Sequence, residues 1–181
     1  MKRAAIALAI HHAAGDSART QPRCHGKWLA RLCALPLLLP LLAHGVAACI
    51  VTSSGVALGS YTFDQLGPTD ATGNISVSCS LDGMVSLPVT YEIRLSTGIS
   101  GSYAQRQMGT NASRLHYNLY SNPARSAIWG DGTAGSTTVS DSYVLALLNT
   151  VRDYPVYGRA PAGQNIAAGV YTDVITVTVL Y

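Results

Sequence analysis

The chain has 181 residues, of which 48% are hydrophobic and 12% charged, a balance that excludes a disordered polar chain and fits one folded domain. Six of its twelve basic residues precede residue 49, and the segment from residue 49 onward has six Arg and eight acidic residues, a net charge of −2. This excludes a basic nucleic-acid-binding surface as the main function. The same segment contains one histidine, His116, so it offers little material for a metal site or for histidine-based catalysis.

Residues 1–48 have the organisation of an export signal. A basic beginning up to Arg31 leads into twelve apolar residues, 32–43, and then into small residues that end at Ala48. A membrane span would need roughly 20 apolar residues, and two prolines interrupt this run. We therefore predict that residues 1–48 are a cleaved secretion signal with an extended basic beginning, and that residues 49–181 form the exported mature domain.

Two cysteines, Cys49 and Cys79, belong to the predicted mature domain. An even pair of cysteines in an exported chain favours a disulfide. Residues 46–49 also resemble a bacterial lipoprotein box, in which Cys49 would be acylated and Cys79 left unpaired. Lipidation of Cys49 is the alternative to the disulfide.

The mature region reads as a succession of strands, because it is rich in Gly, Ser, Thr and Tyr and alternates apolar with polar residues. Residues 142–148 are an apolar run that two helical turns would also fit, and the neighbouring strands favour a strand there. No helical spacers separate the segments, which predicts an all-β, two-sheet sandwich. The predicted strands are, in chain order, residues 49–52, 56–61, 74–79, 87–95, 115–120, 142–148 and 169–181.

The last strand has the strongest alternation in the chain, with Ile175, Val177, Val179 and Tyr181 on one face. An immunoglobulin-type sandwich has seven strands, and no segment after Tyr181 can pair with this one. We therefore expect six strands and an open apolar groove that a strand from a partner fills, contributing on the order of 10 kcal/mol through about five buried side chains. The alternative is that the two N-terminal segments, or a further strand that this count has missed, already close the sheet.

Six stretches resemble the spore coat protein U domain family, which includes the pilins of the archaic chaperone-usher pathway. The most specific is the final G-x-Y-x-D-x-x-x-V-x-V, residues 169–179. The others are residues 49–51, 73–79, 115–120, 128–132 and 157–159.

The resemblance implies an incomplete immunoglobulin-like sandwich of six strands whose seventh strand comes first from a periplasmic chaperone and then from a neighbouring pilus subunit. It also implies an outer-membrane usher as partner, a disulfide between Cys49 and Cys79, and a location on the cell surface. Polymerising pilins of this type have a donor strand before the first cysteine, whereas Cys49 directly follows the predicted cleavage site. We therefore expect a tip or minor subunit that accepts a strand and does not donate one.

The chain shows no pattern typical of an enzyme. Residues 130–135 match G-x-G-x-x-G without the strand and helix that a dinucleotide site requires. His116 is expected to be solvated, and a nucleophile elbow is absent. We predict no catalysis, no cofactor and no metal.

Four aromatic residues in or near predicted loops could instead stack on a sugar. They support an alternative function, a free-standing secreted or lipidated domain that binds a carbohydrate or surface receptor. Packing within the sandwich is the competing explanation for them. They are Tyr103, Trp129, Tyr154 and Tyr157.

Overall fold

The computed structural model describes residues 2–13, 46–82, 86–110, 113–146 and 148–181. The apolar run at residues 32–43, on which the prediction of an export signal depends, lies outside these residues. Within the described ranges the helical structure is a single 3-10 turn, Gly98–Ser100, and no helix there is long and apolar enough to cross a bilayer. The strands are β1 (Lys2–Ala13), β2 (Val46–Ser54), β3 (Val56–Tyr61), β4 (Thr69–Asp82), β5 (Leu87–Leu95), β6 (Arg106–Thr110), β7 (Ser113–Tyr120), β8 (Val139–Leu145), β9 (Thr150–Ala160) and β10 (Val170–Leu180).

The strands form two five-stranded sheets. The first sheet has the order β3-β1-β10-β5-β8 and the second has the order β2-β4-β9-β7-β6. Buried side chains from both sheets pack into one core. Strand neighbours are antiparallel, with the exception of β1 and β10, which run parallel. The prediction of an all-β sandwich is confirmed, whereas the expected count of six strands is wrong, since the structure describes nine strands, β2 to β10, between residues 46 and 181.

Alternation along the strands determines which faces form the core. In β4, Ile75, Val77 and Cys79 are fully buried, while the side chains between them are half-buried. Strand β5 repeats the pattern, with inward residues at 89, 91, 93 and 95. A strand places successive side chains on opposite faces, so one apolar face per strand is enough to build the core.

The chain crosses from the second sheet to the first at Gly55. This single residue separates β2 from β3, which belong to different sheets. A Cβ atom at position 55 would collide with the carbonyl oxygen of Ile6 in β1. The glycine therefore allows β1 to approach the crossover closely.

Two strands of the mature region, β6 and β9, were not predicted from the sequence. In β9, Pro155 argues against a strand in the interior of a sheet because proline cannot donate to a ladder. The structure accommodates it because β7 pairs with β9 only at residues 157–159, while Pro155 lies opposite Asn74 of β4. The predicted strand at residues 142–148 is also shifted, since β8 spans Val139–Leu145.

Candidate functional site

The pairing of β10 depends on a strand from outside the predicted mature domain. On one side, β5 pairs with β10 only over residues 177–180. On the other side, β1 follows β10 from residue 170 to residue 180 and also pairs with β3. We call the channel between β3 and β10, in which β1 lies, the groove. Sequence analysis assigned residues 2–13 to the leader and gave them no part in the fold, whereas here they form a strand.

The side chain of Ile6 enters the core through the groove. It is 2% exposed and lies in register with Asp173 of β10 on one side and Val56 of β3 on the other. Ala7 is exposed, and Leu8 is partly buried against the core. This alternation is what a strand with one apolar face presents to a sandwich.

The crossover from β2 to β3 also contacts the backbone of β1. The hydroxyl of Ser53 donates a hydrogen bond to the carbonyl oxygen of Leu8 over 3.2 Å. Gly55 lies against the carbonyl oxygen of Ile6, as described above. Both contacts lie at consecutive inward positions of β1, so they favour one register of the strand in the groove.

The predicted groove residues divide into two groups. Ile175, Val177 and Val179 are fully buried on the inward face of β10. They lie in register with residues 8, 10 and 12 of β1. Tyr181 follows the last residue of β10 and is 51% exposed, so it does not continue the buried row.

A buried carboxylate lies on the same face of β10. Asp173 is 2% exposed; it accepts a hydrogen bond from the Tyr117 hydroxyl over 2.6 Å and one from the backbone N–H of Ile99 over 3.1 Å. Burial, with the hydrogen bond to Asp173, raises the pKa of Tyr117 well above its usual range, so the phenol stays a donor. A side chain at Gly98 would overlap this carboxylate, and its φ of +65° also favours glycine. The aspartate of the family motif thus anchors β10 to neighbouring segments.

Arg106 is a buried residue that sequence analysis missed. It is fully buried and donates hydrogen bonds to the carbonyl oxygens of Ser96 and Trp129, at 2.8 Å and 2.7 Å, and to the side chain of Asn118 at 2.8 Å. Burial lowers the pKa of this guanidinium. Its partners are loop carbonyls far apart in the chain, so no local pattern in the sequence indicates them. It ties the Trp129 loop to the sandwich.

Two of the four predicted ligand aromatics belong to the interior. Trp129 is fully buried, and its indole N–H donates to the carbonyl oxygen of Ile93 over 3.0 Å. Tyr103 is 8% exposed, and its hydroxyl donates to the carbonyl oxygen of Leu95 over 3.1 Å. Neither ring is free to stack on a sugar, which corrects the interpretation of these two as ligand residues.

Tyr154 and Tyr157 lie in β9, not in a loop, and both are half-buried. The Tyr154 hydroxyl donates to Asp141 over 2.6 Å and lies 2.6 Å from the hydroxyl of Tyr91. Burial raises the pKa of Tyr91 to about 12. Tyr157 packs under the guanidinium of Arg125, 5.7 Å from the ring centroid. The four aromatics therefore do not form one exposed surface.

The predicted disulfide is present. Cys49 and Cys79 lie directly opposite one another on β2 and β4, and their sulfurs are bonded at 2.08 Å. Cys79 is fully buried. The pairing confirms the predicted disulfide. Lipidation of Cys49 would instead leave Cys79 unpaired.

The remaining candidate chemistry has structural explanations. Asp131 accepts hydrogen bonds from the backbone and hydroxyl of Thr133, so the stretch at residues 130–135 is a turn, and β8 follows it instead of a helix. His116 is half-buried, not solvated, because Gln164 binds both its backbone N–H and its carbonyl oxygen. Among the described residues, no three His, Cys, Asp or Glu side chains group as metal ligands would.

Comparison with known proteins identifies relatives of this chain. Protein U of Myxococcus xanthus is 29% identical over 147 residues, which are 74% of this chain and 78% of that protein. A similar solved structure is the CsuC–CsuE chaperone–tip adhesion subunit pre-assembly complex from the archaic chaperone-usher Csu pili of Acinetobacter baumannii. It has a TM-score of 0.46 and 22% identity, and the match covers 75% of this chain and 40% of that chain. The family model of the spore coat protein U domain matches residues 37–178, more than half of the chain. This chain belongs to the spore coat protein U domain family.

Proposed function

We propose that this chain is a non-catalytic subunit of a bacterial surface pilus, assembled by donation of strands through a periplasmic chaperone and an outer-membrane usher. Membership of the spore coat protein U domain family supports this proposal. In it, the chain is exported, residues 1–48 are removed, and the mature domain reaches the cell surface within the fibre.

The observation that carries the proposal is that residues 170–176 of β10 pair only with β1, a strand from the predicted leader. Without β1, residues 170–176 of β10 have no strand beside them on either side in the first sheet. Exposed edges with apolar faces are templates for strand addition. A mature chain that has lost β1 therefore requires a strand from a partner, and chaperone and neighbouring subunit supply it in turn.

The position of Cys49 supports a tip or minor role. A chain that begins at Cys49 begins inside β2, where Cys49 is already bonded to Cys79 of β4. Donating a strand requires an extended segment that is free of its own domain. The mature subunit accepts a strand and has none to pass on at this end.

The experiment is exported expression with and without a coexpressed periplasmic chaperone of an archaic chaperone-usher system. We expect the chain to aggregate alone, and to be soluble and to copurify with the chaperone when both are made. Ile175→Asp, which places a charge in the groove, should abolish capture by the chaperone. Val174→Asp, the adjacent exposed position, is the matched control and should be captured normally. A chain that is soluble, monomeric and cooperatively folded without any partner would contradict the proposal.

The same preparation separates this function from that of a free-standing carbohydrate-binding domain. Such a domain would need neither chaperone nor usher, and it would need exposed aromatic rings. Burial of Trp129 and Tyr103 removes two of the four rings on which that alternative depends. The pilus subunit is therefore the function we favour.

A further inference from the structure

The strand in the groove comes from a part of the chain that lies outside the family domain. The family model begins at residue 37, whereas β1 ends at Ala13. Residues 14–45 separate the two, and a fully extended segment of that length reaches roughly 100 Å. The length of the connection therefore leaves β1 free to enter or to leave the groove.

The fit of β1 involves all three elements that surround it. It pairs with β10 on one side and with β3 on the other, and it receives the Ser53 hydrogen bond at Leu8. Ile6 is 2% exposed, which is as buried as the domain's own core residues. Gly55 lies where β1 approaches the crossover from β2 to β3 most closely, and a Cβ atom there would collide with the carbonyl oxygen of Ile6.

At residues 6 to 8, the side chains of β1 present one apolar face to the core. Large side chains point inward at Ile6 and Leu8, and an alanine lies at the exposed position between them. Charged residues at these inward positions would be excluded from the core because an unpaired buried charge is costly.

We infer that residues 2–13 are a built-in occupant of the groove. A chain that keeps its N-terminal segment closes its own first sheet, and the groove opens to a strand from another protein only after β1 has left. The inference deepens the proposed function, on which it rests for the identity of the incoming strand. It makes removal of the N-terminal segment the step that creates a binding surface.

A disulfide trap tests the occupancy in the full chain, produced without export so that residues 1–48 are retained. Ala7 and Val174 are in register on the exposed face of β1 and β10. In a background with Cys24→Ser and Cys33→Ser, the pair Ala7→Cys and Val174→Cys should cross-link in most molecules under mild oxidation. The control pair, Ala7→Cys with Thr178→Cys, is offset by four residues, about 13 Å along the strand, and should not cross-link.

Peptide capture tests whether β1 blocks the groove. The probe is a fluorescently labelled peptide with the sequence of residues 2–13, added to the full chain. Ile6→Asp should expel β1 and bind the peptide at least tenfold more tightly than the unmodified chain does. Ala7→Asp changes the exposed neighbour and should bind no better than the unmodified chain.

Three outcomes would overturn the inference: no cross-link in the registered pair, cross-links that join two chains instead of forming within one, or equal peptide binding by the unmodified chain and Ile6→Asp. If Ile6→Asp does not fold, the disulfide trap still decides, since the two cross-linked positions, Ala7 and Val174, are exposed. Capture by the chaperone tests the proposed function separately. If the full chain forms the intramolecular cross-link but its mature form does not bind the chaperone, the inference about β1 stands and the proposed pilus function is wrong.

Discussion

The ladder of β4 and β9 in the second sheet and the ladder of β1 and β10 in the first differ in where their strands come from. β4 pairs with β9 over residues 69–79, and both strands lie within the family domain. β10 pairs over a similar length with β1, which lies outside that domain. One sheet is thus completed by the domain's own sequence, and the other is completed by a segment that can be separated from it.

This difference explains how a sandwich with a well-packed core can still depend on a strand from outside the domain. The second sheet is closed by its own pairing and by the Cys49–Cys79 bond. In the first sheet, Ile175, Val177 and Val179 are fully buried with β1 beside β10.

The largest effect is expected from emptying the groove. A chain beginning at Cys49 loses β1, which removes the buried side chain of Ile6 and the partly buried one of Leu8, roughly 3 to 6 kcal/mol of apolar burial, and leaves the backbone of residues 170–176 without a neighbouring strand. We expect this chain to aggregate alone. Attaching residues 2–13 after Tyr181, through a flexible linker of about 12 residues that returns along β10, should restore a monomer with cooperative urea unfolding. The same graft with Ile6→Asp in the attached segment is the control and should not restore folding.

Breaking the disulfide of the second sheet should lower the free energy of unfolding by less. The disulfide joins residues 30 apart in sequence, and the chain-entropy model gives roughly 3 to 4 kcal/mol for a loop of that size. Reducing the full chain should lower its free energy of unfolding in urea by this amount while leaving it folded. The double variant Cys49→Ala with Cys79→Ala should show the same lower stability and no further change on reduction. A chain that unfolds completely on reduction would show that the second sheet also depends on an added constraint.

The anchor beneath β10 should have a smaller effect. Tyr117→Phe removes the donor to Asp173 and leaves a buried carboxylate oxygen with one partner fewer, which costs about 1–3 kcal/mol. Tyr120→Phe, a half-buried tyrosine on the same strand, should change the stability by less than about 0.5 kcal/mol. Urea unfolding of the two variants gives the comparison. Equal effects would mean that the hydrogen bond to Asp173 contributes nothing specific to β10.

The smallest effect concerns an ion pair on the second sheet. The hydrogen bond from Arg159 lowers the pKa of Asp70, with a further contribution from Arg125. A lowered pKa in the folded state stabilises the fold above the unfolded pKa of about 3.9, and this stabilisation is lost as the pH falls through the folded value. Because the pair is about one-third exposed, we expect less than about 1 kcal/mol. Between pH 7 and pH 3, the melting temperature should fall less for Asp70→Asn than for the unmodified chain. Asp64→Asn, at an exposed site, is the control and should behave as the unmodified chain does.

Local alternation was enough to predict the strands with one clean apolar face. The segments at residues 74–79 and 87–95 lie in β4 and β5, and the disulfide followed from the cysteine count. These features depend on neighbours in the sequence or on the compartment, both of which a sequence shows directly. The same alternation led us to expect an open edge at β10, whereas in the structure β1 pairs along it.

The remaining features depend on contacts between distant residues. Trp129 lies in a glycine-rich stretch typical of a loop, yet its indole binds a carbonyl of β5 and is fully buried. Strand β9 is not evident from the sequence because Pro155 has no N–H to donate to a ladder. The strand tolerates it because β7 pairs with β9 over only a short stretch. The strand formed by residues 2–13 was hidden because a basic start followed by apolar residues also fits a leader.

The Cys49–Cys79 bond has a mechanical consequence. In a chain that keeps residues 1–48, force applied before Cys49 would pull β2 away from β4, with which it pairs at residues 46–54. The covalent bond transfers such a load to Cys79 near the end of β4, a strand that β9 also holds. Residues 50–54 of β2 are thereby shielded from tension, and so is the crossover at Gly55 that shapes one wall of the groove.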